Sequence, residues 1–383
     1  MPEGRLDFNE RPILVFWEST RACLLSCKHC RAEAIDKPMP GELTTDEAKA
    51  FIDTLSGFGR PSPVLIVTGG DAMMRPDVFE LVEYARGRGV PVGLSPSVTP
   101  HLTWENARRM RELGVKAASI SLDGSKPGTH ENIRGVEGHF AKTIEALKMM
   151  VGLGYTLQIN TTVMRDNVEE LADLACLLKS IGVRIWEVFF LIHVGRGSDV
   201  RELAPWEYEE VSHFLYDVSR HGITVRTVEA PFFRRVCQWR LADGAGDDPI
   251  VKYGLSRLYG RLSRRLAEGM GETVGEPLIR SARTRDGKGI VFVGYNGDIY
   301  PAGFLPVSLG NIRSSSIVDV YRGSPLLQSI RSAAFTGRCG ICEYADLCGG
   351  SRARAYARWG DPLGDDPACA FEPPTPDQPT VTL

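Results

Sequence analysis

The chain has 383 residues, 43% hydrophobic and 24% charged, with a formal net charge of -3. That composition fits one large globular domain with a smaller companion, and the charge supplies no basic face for nucleic acid or an anionic membrane, so neither is expected as a partner. No apolar run approaches the roughly 20 residues that span a bilayer, and MPEGRLDFNERP lacks the basic and apolar regions of a secretory leader, so the expected location is cytoplasmic.

Short β-rich apolar runs alternate with amphipathic segments. In chain order they are ILVFW (13–17) then 44–56, VLIVT (64–68) then 77–88, and VPVGL (90–94) then 103–113. VKAASISL (115–122) then 139–152, TLQINTTV (156–163) then 167–181, and VRIWEVFFL (183–191) complete the series. The alternation predicts six parallel strands with helices between them, and right-handed crossovers curl such a unit into a partial (β/α)6 TIM-like barrel, an α/β fold. Thr44 and Glu47 have capping-box spacing, and Gly57, Gly89, Gly114, Gly154 and Gly182 sit where helices stop. Residues 244–276 hold an amphipathic helix, with Leu255, Leu258, Leu262 and Leu266 on one stripe, that either shields the barrel or lids its mouth. The tail from 373 is proline-rich and reads as disordered.

Active sites of such barrels lie at the C-terminal strand ends, and the loop after the first strand reads CLLSCKHC. Cys23, Cys27 and Cys30 have the spacing C-x3-C-x2-C. In a reducing compartment, thiols grouped in this way are ligands or catalytic groups more often than disulfides. Three thiolates suit a [4Fe-4S] cluster with one iron left open, whereas a zinc knuckle would recruit His29 as a fourth ligand. The loop after the second strand, TGGD, sets Gly69 and Gly70, which allow close backbone approach, beside the carboxylate of Asp71.

Together these motifs resemble those of radical S-adenosylmethionine (SAM) enzymes. The resemblance implies that Cys23, Cys27 and Cys30 hold a cluster whose open iron chelates SAM, and that one-electron reduction cleaves SAM to methionine and a 5'-deoxyadenosyl radical. It also implies that His29 lies near the adenine and that Gly69, Gly70 and Asp71 meet the SAM ammonium, with Asp71 and Ala72 replacing the usual Glu and Pro. Ser121 and Asp123 of SLDG, and Asn160, match ribose or substrate contacts.

A second group, Cys339, Cys342, Cys348 and Cys369, is spaced C-x2-C-x5-C-x20-C, which alone fits a zinc ribbon or a fully ligated cluster. Joined to the first motif, it resembles the SPASM or twitch extensions that carry auxiliary clusters. The full SPASM pattern has an earlier thiol where this chain has Ala302 and Gly303, so two [4Fe-4S] clusters are expected in total. Domain limits follow: an N-terminal segment 1–12, the barrel 13–230, a connecting region 231–290, a small C-terminal cluster-binding domain 291–372 and the tail 373–383. KHCRAEA, FFLIHVGRG, EAPFFRR, YPAGFLPVSLGNI and CGGSRARAYA resemble the radical SAM proteins around heme biosynthesis, including coproheme decarboxylase and heme d1 relatives. That subgroup implies a tetrapyrrole or related small-molecule substrate, oxidative decarboxylation of propionates and a flavodoxin- or ferredoxin-type reductant. Arg196, Arg234, Arg235, Arg352 and Arg354 are candidates to pair with its carboxylates, with His193, Tyr295 and Cys237 as weaker site candidates and Cys176 as packing. A maturase acting on a ribosomal peptide and a non-enzymatic zinc scaffold are the alternatives.

Overall fold

The computed structural model describes residues 7–243, 248–272, 275–279 and 284–374. The tail beyond 374 and the first six residues of the N-terminal segment lie outside the described residues, as do parts of 244–276.

Seven strands pair in parallel and in sequence order: β1 (Leu14–Glu18), β2 (Val64–Thr68), β3 (Val92–Leu94), β4 (Ala117–Ser121), β5 (Thr156–Val163), β6 (Ile185–Phe190) and β7 (Thr224–Val228). The first six match the predicted runs. β7 adds a seventh that sequence reading passed over, although Thr224-Val225-Arg226-Thr227-Val228 alternates and is β-branched, because it is short and ends without a long apolar run. On the other side of β1, β8 (Ile290–Val293) pairs in parallel, followed by the antiparallel β9 (Asp298–Tyr300) and β10 (Gly310–Asn311). The segment expected to open the C-terminal domain at 291 therefore extends the sheet, covering a β1 edge that would otherwise expose unpaired N–H and C=O groups. β7 and β10 end the sheet, so the barrel is partial and open.

Alternation sets the two faces. On β5, Leu157, Ile159, Thr161 and Val163 are buried, while Gln158, Asn160 and Thr162 point the other way. The buried face packs under α1 (Thr45–Thr54), α2 (Val78–Gly87), α3 (Trp104–Glu112), α5 (His139–Gly152), α6 (Leu171–Ile181) and α7 (Pro205–Ser219), while α4 (Pro127–Arg134) packs on α5 and puts Ile133 in a separate cluster with Met164 and Leu191. α1 starts on the predicted capping box: Glu47 N–H donates to Thr44 Oγ1 at 3.2 Å and Thr44 N–H to Glu47 Oε2 at 2.9 Å. Its end differs from expectation, because a 3-10 turn carries the chain to Phe58 and Gly59, at φ 83°, takes the left-handed position assigned to Gly57.

After β7 come α8 (Phe233–Ala242), α9 (Pro249–Tyr253) and α10 (Arg257–Met270), and the C-terminal part adds α11 (Ile317–Gly323), α12 (Pro325–Arg331), α13 (Gly337–Ile341) and α14 (Arg352–Trp359). α10 is the predicted amphipathic helix, with Leu258, Leu262 and Leu266 buried against α6 and α7 and Arg261 paired with Glu169. It belongs to the outer helical layer, so the lid alternative is set aside. The strand face opposite the helices is left open, and the loops at the C-terminal strand ends rim it. No helix among the described residues is long and apolar enough to cross a membrane.

Candidate active site

The Cys23–Cys30 loop follows β1 and is clamped from three sides. From the loop after β2, Gly70 N–H donates to Thr20 O at 2.8 Å and Asp71 N–H to Ala22 O at 2.6 Å. Cβ atoms at Gly69 and Gly70 would stand 2.3 Å from Thr20 O and 2.4 Å from Ala22 O, so the glycine pair admits the cysteine loop's own backbone. From the end of α4, the carbonyls of Ile133 and Arg134 accept from Lys28 N–H and Ser26 N–H. From the loop after β6, Arg196 donates to Cys27 O at 2.9 Å and Ala34 O at 3.0 Å.

The thiols sit inside this clamp. Leu25 N–H donates to Cys23 Sγ at 3.4 Å, Ser97 Oγ lies 3.7 Å from the same sulfur, and Arg134 Nη1 lies 3.6 Å from Cys27 Sγ. The Leu25 N–H and the Arg134 guanidinium, aimed at sulfur, suit thiolates. Burial pushes the free Cys23 thiol up to about 11 and raises Cys27 as well, so the ionised form depends on a bound cation. Among the described residues, no three His, Cys, Asp or Glu side chains converge to hold a single metal ion. A cubane cluster instead presents a separate iron to each thiolate.

Two carboxylates expected to face ligand are turned into the protein. Asp71 is fully buried and accepts from Met73 N–H, Ser97 N–H and Thr99 Oγ1 at 3.1, 3.2 and 2.6 Å, tying the loop after β2 to the loop after β3. Asp123, also fully buried, lies 2.5 Å from Arg134 Nη2 and accepts from Thr162 N–H at 2.8 Å. Burial would raise its carboxyl, but the Arg134 guanidinium holds it below the usual range. His29 Nε2 stands 3.7 Å from Asp123, yet burial holds the imidazole down to about 4, neutral at pH 7.

Sequence reading missed Arg134, His130 and His139, and gave Arg196 to the substrate rather than to the cysteine loop. Asp123 N–H donates to His130 Nδ1, which places the His130 proton on Nε2. That proton is donated to His139 Nδ1 at 2.8 Å, and His139 Nε2 donates to Val98 O at 3.0 Å. The relay joins the loops after β3 and β4. Its sequence signal was the dense polar run HENIRGVEGH, which alternation does not explain.

Ser121 and Asn160 belong to a polar tier on the interior face. Ser121 pairs with Asn160, Asn160 with Glu187 and Glu187 with Arg226 across four adjacent strands. Gln158 binds the tier together, donating to Asn160 Oδ1 at 2.8 Å and Glu187 Oε2 at 2.7 Å and accepting from Arg226 at 3.2 Å.

In the C-terminal part, Cys339, Cys342, Cys348 and Cys369 all line one pocket. Tyr344 N–H and Gly350 N–H donate to Cys342 and Cys348 at 3.4 Å, and Arg352 Nη2 lies 3.6 Å from Cys339. Burial pushes Cys348 up to about 11 and Cys369 to about 12.

The five arginines expected to meet substrate carboxylates are committed elsewhere. Arg352, fully buried, donates to the carbonyls of Gly350, Pro362 and Gly364. Arg354 pairs with Asp366 and Glu202, Arg235 is bidentate to Glu209 at 2.8 and 2.7 Å, Arg234 donates to Leu347 and Thr284 carbonyls, and Arg196 clamps the cysteine loop. His193 is an exposed neighbour of Glu202, and the Tyr295 ring lies under Arg21. Cys237 is a core thiol and Cys176 packs against Gly269 of α10.

The sequence pattern of the Radical SAM superfamily matches residues 17–178, which hold the clamped cysteine loop. The AdoMet-dependent heme synthase of Nitratidesulfovibrio vulgaris is 38% identical over 367 residues, 94% of this chain and 92% of that protein. The chain belongs to the radical SAM superfamily. It is a radical SAM enzyme of the heme-biosynthesis subgroup, and this membership implies SAM and a [4Fe-4S] cluster. A second radical SAM relative, the mycofactocin maturase MftC of Mycobacterium ulcerans, is 30% identical over 94% of this chain and 88% of that protein. In three dimensions the chain resembles native anSMEcpe with bound AdoMet, with a TM-score of 0.64 over 93% of each chain at 16% identity, which speaks to the fold.

Proposed function

We propose that this enzyme modifies a tetrapyrrole, removing carboxyl groups from propionate side chains by oxidative decarboxylation. The observation that carries the reading is the near full-length similarity to an AdoMet-dependent heme synthase, at 38% identity against 30% for the mycofactocin maturase. On this reading Cys23, Cys27 and Cys30 hold the SAM-binding cluster, which when bound and reduced by a flavodoxin- or ferredoxin-type protein supplies the electron that cleaves SAM. Gly69 and Gly70 shape the loop beside SAM, Ser121 and Asn160 offer hydrogen bonds from the interior face, and His29, neutral, packs near the adenine. Asp71 and Asp123 act as supports, the first fixing the loops after β2 and β3, the second fixing Arg134 beside Cys27. A direct contact between Asp71 and the SAM ammonium would exchange one of its three internal hydrogen bonds.

Cys339, Cys342, Cys348 and Cys369 would hold an auxiliary [4Fe-4S] cluster, since four thiols around one cavity with N–H donors on two of them suit a closed cluster. Closed coordination suits electron transfer and the holding together of the C-terminal part. Anaerobic incubation of reconstituted protein with SAM, reductant and iron coproporphyrin III, followed by mass spectrometry, tests the assignment. Loss of carboxyl groups together with 5'-deoxyadenosine supports it. Cleavage of SAM with the porphyrin unchanged, and modification of a short peptide instead, would favour the maturase reading.

A further inference from the structure

We propose that Arg226, at the open end of the interior polar tier, anchors a carboxylate of a flat, apolar, carboxylate-bearing substrate. The inference rests on the tetrapyrrole reading above and deepens it by naming the anchor.

The interior face needs a cation for such a ligand, and most arginines near it are spent. Arg196, Arg234, Arg235, Arg352 and Arg354 serve the protein's own carbonyls and carboxylates. Arg31 is paired with Glu18 at 2.9 Å and stacked on Phe292 at 4.7 Å. Arg226 differs. Its described hydrogen bond is one donation to Gln158 Oε1 at 3.2 Å, and among the described residues no carboxylate lies within ion-pairing distance of it. A guanidinium has five N–H donors in a planar fork, so a bidentate face remains for a carboxylate.

Position supports the same role. Arg226 lies on β7, the strand that ends the sheet, in register with Glu187. The tier therefore runs from Ser121 and Asn160, near the proposed SAM position, to the end strand of the sheet. Two residues along the strands, Phe189 pairs with Val228, and the Phe189 ring packs 6.1 Å from Phe304. The anchor thus stands beside an apolar wall that suits a planar ring system.

Glu187 is the group that could have neutralised Arg226. Its carboxyl accepts from Gln158 at 2.7 Å, and burial raises its pKa. Arg226 opposes that rise electrostatically, and Gln158 bridges the two groups in place of a direct ion pair, which leaves guanidinium donors for a ligand.

The test is equilibrium binding to the full-length protein, read from the Soret band. Iron coproporphyrin III and its tetramethyl ester are titrated into wild type, Arg226→Gln and Arg226→Lys, with thermal unfolding as the check that each variant folds. Wild type should bind the acid roughly tenfold or more tighter than the ester, since a charge-assisted bidentate pair is lost on esterification. Arg226→Gln should bind acid and ester alike, at the wild-type ester affinity, and Arg226→Lys should fall between. If Arg226→Gln keeps the full preference for the acid, the anchor assignment is wrong while the tetrapyrrole reading stands. If wild type binds both forms equally, the anchor assignment falls while the tetrapyrrole reading stands; if it binds neither, the tetrapyrrole reading falls and takes the anchor with it. Should Arg226→Gln fail to fold, Arg226→Lys with an undiminished preference still counts against the inference.

Discussion

Arg134 places one guanidinium nitrogen 2.5 Å from Asp123 Oδ2 and another 3.6 Å from Cys27 Sγ, so a single buried cation ties the end of β4 to the cysteine loop. Removing it strands a fully buried carboxylate. Arg134→Met should cost about 3–5 kcal/mol in chemical denaturation. Because the same group donates to sulfur, the reconstituted variant should also show a lower cluster reduction potential than wild type. An unchanged potential would mean that Arg134 is only structural.

Acid should destabilise the protein well above the carboxylate range. Burial holds His130 down to about 3, His139 to about 4 and His213 to about 3, against an ordinary value of 6.5. Below pH 6.5 the unfolded chain therefore takes up protons that the native state refuses. Stability is fully present above that point and falls as pH drops toward 4, by up to about 1.4 kcal/mol per pH unit for each histidine. Denaturation at pH 7.5, 6 and 5 measures the slope. Among the described residues neither ring nitrogen of His213 has a hydrogen-bond partner, so His213→Phe should flatten the slope without loss of stability at pH 7.5. Identical midpoints at the three pH values would contradict the buried neutral histidines.

Asp71 separates two roles by chemistry. Asp71→Ala removes three buried hydrogen bonds and should cost about 3 kcal/mol. Asp71→Asn keeps an acceptor oxygen at this site but no charge. If the residue acts by holding the loops, the Asn variant retains most of the SAM affinity in anaerobic titration. A loss of tenfold or more with stability intact would instead indicate direct contact with the ammonium.

Metal analysis decides between the C-terminal alternatives. After anaerobic reconstitution, iron should approach about eight atoms per chain, and Cys342→Ala should lower it by about four while uncoupled SAM cleavage persists. About one zinc with four irons would mean a structural zinc ribbon.

Helix α10 provides a control. Leu262 is fully buried on the outer layer, so Leu262→Ala should cost about 2–5 kcal/mol yet leave SAM cleavage unchanged below the unfolding range. Impaired product release with intact stability would revive the lid role.

The local chemistry of this protein is written in its sequence. Six of the parallel strands, the Thr44 capping box, the amphipathic stripe of α10 and both cysteine groups all follow from periodicity and spacing, because each depends on residues a few positions apart. What Asp71, Asp123, Arg352 and Arg354 do could not be read that way. A carboxylate or guanidinium looks the same in sequence whether it faces a ligand or a partner from a distant loop. Arg134 meets Cys27 across 107 residues, and Arg354 meets Glu202 across 152. Likewise β8 joins β1 because the sheet edge needs pairing, a demand that exists only once the sheet has formed. The spare donors of Arg226 also become visible only when the other arginines have found their partners in the folded chain.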